Sequence, residues 1–117
     1  MSNFDWLNEH SRNFLQNGYL IEGVSPEQRI RQIADKAEKI LGIDGFADKF
    51  YDYMGRGYYS LSSPIWANFG TDKGLPISCF GSHIDDNMAS ILNTQAEGGM
   101  MSELGGGTSG YFGELRG

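Results

Sequence analysis

A single cysteine, Cys79, is all the thiol in these 117 residues, so no disulfide can form within the sequence. Such sparing use fits a reducing compartment, and a cytoplasmic location is expected. Basic residues are also few: 9 Lys and Arg stand against 15 Asp and Glu, for a net charge of −6. A face that could neutralise many phosphates is missing, which argues against a general nucleic-acid binder. Small nucleotides stay open, because helix ends and backbone amides can hold them. No apolar run approaches the roughly 18 residues of a membrane helix. The opening Met1-Ser-Asn-Phe-Asp-Trp6 has neither the basic region nor the apolar stretch of a signal peptide. The two histidines, His10 and His83, form no metal-ligand pattern, and no metal site is expected.

Glycine is the residue in excess, at 17, and eight of these lie between Gly98 and Gly117. The sequence before that cluster reads as helical. Residues 4–17 place Phe4, Leu7, Phe14 and Leu15 roughly on one face, with Gly18 as a stop. Ser25 as N-cap, Pro26 at the first position and Gln28 completing a capping box open a second helix. Ile30, Ile33, Ala34, Ala37, Ile40 and Leu41 recur along it, and Gly42 ends it. A third helix, capped by Asp44, turns Phe46, Phe50 and Met54 inward and stops at Gly55 or Gly57.

After Gly57 the pattern changes. Residues 58–67 are aromatic and extended, with Pro64 barring a regular central strand. Residues 75–81 read as a short buried strand, and Asp85 or Asp86 opens a helix running to Leu104. Gly98 and Gly99 lie inside that helix at roughly 1 kcal/mol each relative to alanine, a cost tolerated where another backbone must come close. Glycines 105–107 end the helix, and residues 111–115 read as a second strand. The expected class is α/β: a helical region at 1–57 leading into an α/β unit at 58–117.

Chemistry rests on few candidates, each with a plain alternative. Cys79 is either a small core residue or a redox thiol, and no basic neighbour in its strand lowers its pKa. Asp85 and Asp86 could meet a metal or a ribose, or simply cap a helix. The Gly105–Gly113 loop could cradle a phosphate, yet it lacks the lysine of a P-loop and serves equally as a helix stop. Arg116 could reach a phosphate or be solvated. Ser63 and Ser78 could contact a ligand or bond their own backbone. Tyr58, Tyr59 and Trp66 read as core aromatics.

Three blocks together are more specific than any one residue: Ser60-Leu-Ser-Ser-Pro-Ile-Trp66, Leu75-Pro-Ile-Ser-Cys-Phe-Gly81, and Gly105 through Leu115-Arg-Gly117. At these separations the sequence resembles the catalytic (alpha) subunit of class I ribonucleotide reductase, and Ser25–Met54 resembles its bacterial and phage members. The resemblance implies the opening of a ten-stranded α/β barrel, incomplete in this chain. Within it a thiyl radical abstracts a ribose hydrogen and two cysteines reduce the 2′ carbon. It implies that Cys79 is the first of those reducing cysteines, and that Ser63, Ser78 and Gly107 lie on the substrate side. Asp86, Asn87 and Met88 match the start of the effector-binding helix, and Arg116 matches an effector-phosphate arginine. Gly98 and Gly99 would let the helix of a second copy approach.

The implied substrate is a ribonucleoside diphosphate, or a triphosphate as in some relatives. The effector would be a deoxynucleoside triphosphate or ATP. The implied partners are a second alpha subunit, a metal-containing beta subunit that supplies the radical, and thioredoxin or glutaredoxin as reductant. No cofactor is bound directly. The family's second reducing cysteine, radical cysteine, acid–base glutamate and asparagine and C-terminal cysteine pair lie downstream of the matched blocks. No ATP-cone is expected before the helical region. The chain is therefore expected to be an N-terminal piece, inactive alone. Rival expectations are one half of a split subunit or a non-catalytic nucleotide-binding module.

Overall fold

The computed structural model describes residues 3–117, which form two compact units, one reaching to Pro76 and the other Ile77–Gly117. This boundary differs from the expected division at 57/58, because residues 58–76 belong with the helices before them.

The first unit holds four helices among the described residues: α1 Glu9–Gln16, α2 Pro26–Leu41, α3 Phe46–Gly55 and α4 Ser63–Asn68. The expected capping box forms at α2, where Ser25 Oγ accepts from the Gln28 N–H at 3.2 Å. In return Gln28 Oε1 accepts from the Ser25 N–H at 2.9 Å. Gly42 closes this helix in the left-handed conformation, φ 66°. Pro26, Arg29, Ile30, Ile33 and Ala34 form its buried face, whereas Ile40 and Leu41 are exposed rather than inward.

Two expectations for neighbouring helices need correction. Helix α1 starts at Glu9, not residue 4, because Asn8 caps it by accepting from the Ser11 N–H at 2.9 Å. The preceding segment instead docks on the end of α3: the Phe4 N–H donates to the Gly55 carbonyl at 3.0 Å, and Trp6 Nε1 donates to the Met54 carbonyl at 2.8 Å. Phe14 is exposed and stacks on Tyr19. Asp44 does not cap α3. Gly45 occupies the cap position, and Glu38 of α2 accepts from the Ala47 N–H at 2.7 Å.

Helix α4 replaces part of the extended run expected over 58–67. Pro64 lies in its first turn, where a missing N–H has no intrahelical partner to lose. Trp66 is buried as expected, but Tyr58 and Tyr59 are exposed. Phe4, Leu7, Leu15, Ile30, Met54 and Trp66 form the core of this unit, with Ile30 and Met54 both 0% exposed.

The second unit is a β-α-β crossover: β1 Cys79–His83, α5 Met88–Glu103 and β2 Gly107–Tyr111. The strands pair in parallel, Cys79 opposite Gly107 and His83 opposite Tyr111. Both strands are shifted from expectation. Pro76 has no N–H for a ladder, and the Leu75 carbonyl accepts from Asn68 Nδ2 at 2.8 Å, so β1 begins only at Cys79. The second strand comes earlier than 111–115 because its pairing starts where Gly107 meets Cys79. Among the described residues of this unit only Ile84 is buried, and α5 buries none of its own.

Candidate functional site

Alternation along β1 sorts its side chains between two faces. Ser82 and Ile84 line one cavity with Ile91, Thr94 and Gly98 of α5, so the even-numbered positions face the helix, and the Phe80 ring packs at Gly106 just after it, where an added Cβ would lie 2.7 Å away. On the neighbouring strand, a Cβ added at Gly98 of α5 would lie 3.6 Å from Thr108 Oγ1. Cys79, Gly81 and His83 therefore take the opposite face, shared with Gly107, Ser109 and Tyr111. Cys79 is exposed there. The small-core alternative for this thiol does not hold in the second unit.

Three expected residues come together at the start of the strand pair. The Gly107 N–H donates to the Ser78 carbonyl at 2.5 Å, directly beside Cys79. A side chain at 107 would press on that carbonyl, its Cβ 3.3 Å away, so glycine permits the close approach. Ser78 Oγ lies 3.9 Å from Cys79 Sγ. At the other end, about 13 Å along the strand at ~3.3 Å per residue, His83 stacks on Tyr111 with ring centroids 5.5 Å apart. Asp85 lies 3.5 Å from His83 Nε2.

The start of α5 gathers the second expected group. Asn87, rather than either aspartate, is the N-cap: its Oδ1 accepts from the Ser90 N–H at 2.8 Å. This leaves Asp86 free to pair with Arg116, Nε to Oδ2 3.5 Å. Met88 is exposed beside them. A carboxylate, a cap amide and a guanidinium that is 84% exposed thus meet at one helix N-terminus. Gly98 and Gly99 do not act alike. Gly98 faces β2 of its own unit, and only Gly99 opens onto free space.

Ser63 belongs to the first unit, exposed at the first position of α4. What holds that helix was not legible as a site residue. Arg29 of α2, 4% exposed, donates from Nε to the Trp66 carbonyl at 2.8 Å and from Nη2 to the carbonyls of Ile65 at 3.2 Å and Phe69 at 2.7 Å. Burial lowers its pKa, and no carboxylate contributes to that shift. A usable signal was its place on the apolar stripe, three residues after Pro26 and four before Ile33.

A family model described as "Ribonucleotide reductase, all-alpha domain" matches residues 5–74. The chain belongs to the ribonucleotide reductase family. The ribonucleoside-diphosphate reductase large subunit of Invertebrate iridescent virus 6 is 34% identical over 95 residues, covering 80% of this chain and 10% of that protein. A putative ribonucleoside-diphosphate reductase large subunit of Frog virus 3 is 37% identical over 71 residues, covering 61% of this chain and 12% of that one. The solved structure of the Actinobacillus ureae class Id ribonucleotide reductase alpha subunit matches with a TM-score of 0.91 and 65% identity. That match covers 99% of this chain and 22% of the solved one, so the chain spans a small part of the relatives it matches. The all-alpha match covers the helical unit found here. Among the described residues no helix is long and apolar enough to cross a membrane.

Proposed function

We propose that this chain supplies the first reducing thiol and part of the specificity-effector site of a ribonucleotide reductase alpha subunit. The observation that carries this reading is the exposed Cys79 on the helix-free face of β1, with Ser78 and Gly107 at its side. In a closed ten-stranded barrel, with helices outside, that face would line the interior. The overall step is the loss of the ribose 2′ hydroxyl as water while two thiols become a disulfide. Cys79 provides one thiol, and the second, with the radical cysteine, comes from the remainder of the subunit. Ser63 and Ser78 would bond the substrate's diphosphate and ribose.

Asp86, Asn87, Met88 and Arg116 form the effector end. Helix α5 offers free amides there, and Arg116 offers a cation to phosphate. The Asp86–Arg116 pair is weak enough, being 3.5 Å long with its arginine exposed, for a triphosphate to displace the carboxylate. The outward side of α5, with Met88, Leu92, Gly99 and Met100, is the surface for a second alpha subunit. A metal-containing beta subunit supplies the radical, and thioredoxin or glutaredoxin restores the thiols. On this reading the chain alone forms no deoxynucleotide.

The test is Cys79→Ser in the complete subunit, assayed for deoxyribonucleotide formation from ribonucleoside diphosphates with the physiological dithiol. Loss of at least about a thousandfold in multiple-turnover rate is expected, in line with removal of a group that reacts covalently. Activity within a few fold of the parent would remove the role given to Cys79.

A further inference from the structure

Arg29 presents an uncommon arrangement. Charged groups are almost never fully buried without a partner of opposite sign. Here the partners are three main-chain carbonyls at the end of α4, those of Ile65, Trp66 and Phe69. These groups carry the negative end of the helix dipole and have few other donors. The fork of the guanidinium suits them in a way that a lysine ammonium does not.

Helix α4 cannot hold its own position. It spans 6 residues, far below the length at which an isolated helix is stable. Ser62 at its N-cap makes no side-chain cap bond. The fixed points are the burial of Trp66 and the grip of Arg29, and Arg29 itself sits on a helix anchored by a capping box and a buried face. Ser63 stands at the opposite, exposed end. A helix of this length is about 9 Å long, so a tilt of about 10° at the Arg29 end moves Ser63 by about 1.5 Å. Misplacement on that scale is enough to lose a substrate contact.

We infer that Arg29 is a positioning residue for substrate: by clamping the C-terminal carbonyls of α4 it sets where the Ser63 hydroxyl stands. This rests on the proposed reading of Ser63 as a substrate contact. The experiment uses the complete subunit and compares Arg29→Lys, Ser63→Ala and the double variant in steady-state kinetics with a ribonucleoside diphosphate. Hydrogen exchange of α4 amides is followed in parallel. Arg29→Lys is expected to raise KM about tenfold, to change kcat less, and to speed exchange at residues 65–69. In the Ser63→Ala background the same change is expected to add less than twofold, because the hydroxyl it positions is gone.

An Arg29→Lys effect of equal size with and without the Ser63 hydroxyl would overturn the inference while leaving Ser63 as a substrate contact. A parental KM for Arg29→Lys would overturn it equally. A parental KM for Ser63→Ala would instead overturn the substrate reading of Ser63, and the inference with it. If Arg29→Lys does not fold, Arg29→Gln, which keeps amide donors for the carbonyls, takes its place in the same cycle.

Discussion

The two units bury their side chains in opposite ways. The helical unit closes a core of its own around Ile30 and Met54, whereas the β-α-β unit buries Ile84 and leaves every residue of α5 at least partly open. Candidate chemistry follows that contrast. Cys79, Asp86 and Arg116 all lie exposed in the unit with little core. Ser63 lies in the closed unit, but at the exposed tip of its shortest helix.

Core substitution gives the widest separation between the units. Met54→Ala is expected to destabilise the helical unit by about 2–5 kcal/mol, read by denaturant unfolding, whereas Leu92→Ala on the outward side of α5 stays within about 0.5 kcal/mol. Comparable losses at both positions would contradict the division drawn here. A smaller effect tests the tightest packing in the second unit. Gly106→Ala places a methyl against the Phe80 ring and the Met101 carbonyl, and a loss of about 1–3 kcal/mol is expected. Faster hydrogen exchange confined to residues 79–83 and 107–111 would report it, and parental exchange there would count against the packing.

The smallest effect is a pH dependence within the first unit. Arg12 donates two hydrogen bonds to Glu27 and holds its carboxyl below the ordinary glutamate value of 4.5. A depressed folded pKa contributes stability that is present above the unfolded value and lost as pH falls through the folded one. Stability should therefore drop more steeply below about pH 4.5 in the parent than in Glu27→Gln, by a modest amount because the pair is partly exposed. Parallel acid profiles for the two proteins would show that the pair contributes nothing.

Much of the helical unit was legible because its signals are local. Ser25, Pro26 and Gln28 specify a helix start whatever surrounds them, and Gly42 specifies its end. Pro64 misled because proline both breaks strands and opens helices, and only the burial of Trp66 decides between the two. The limits of β1 and β2 depend on each other. Gly-Thr-Ser-Gly-Tyr has little strand propensity of its own and becomes a strand by pairing with residues 79–83. The close association of Ser78, Cys79 and Gly107 is a product of that register, although the resemblance had already grouped them by role. Arg29 escaped notice because an arginine in a helix is ordinarily solvated, and its carbonyl partners lie 36 to 40 residues away.

The oxidation state of Cys79 after one turnover bears most directly on all of this. The complete subunit, pre-reduced and freed of external dithiol, would be mixed with its radical-supplying partner and a ribonucleoside diphosphate, then quenched with an alkylating agent and digested for mass spectrometry. The expected result is Cys79 disulfide-bonded to a second cysteine of the subunit, in proportion to deoxynucleotide formed and absent without substrate. Deoxynucleotide formed while Cys79 remains fully alkylatable would contradict it.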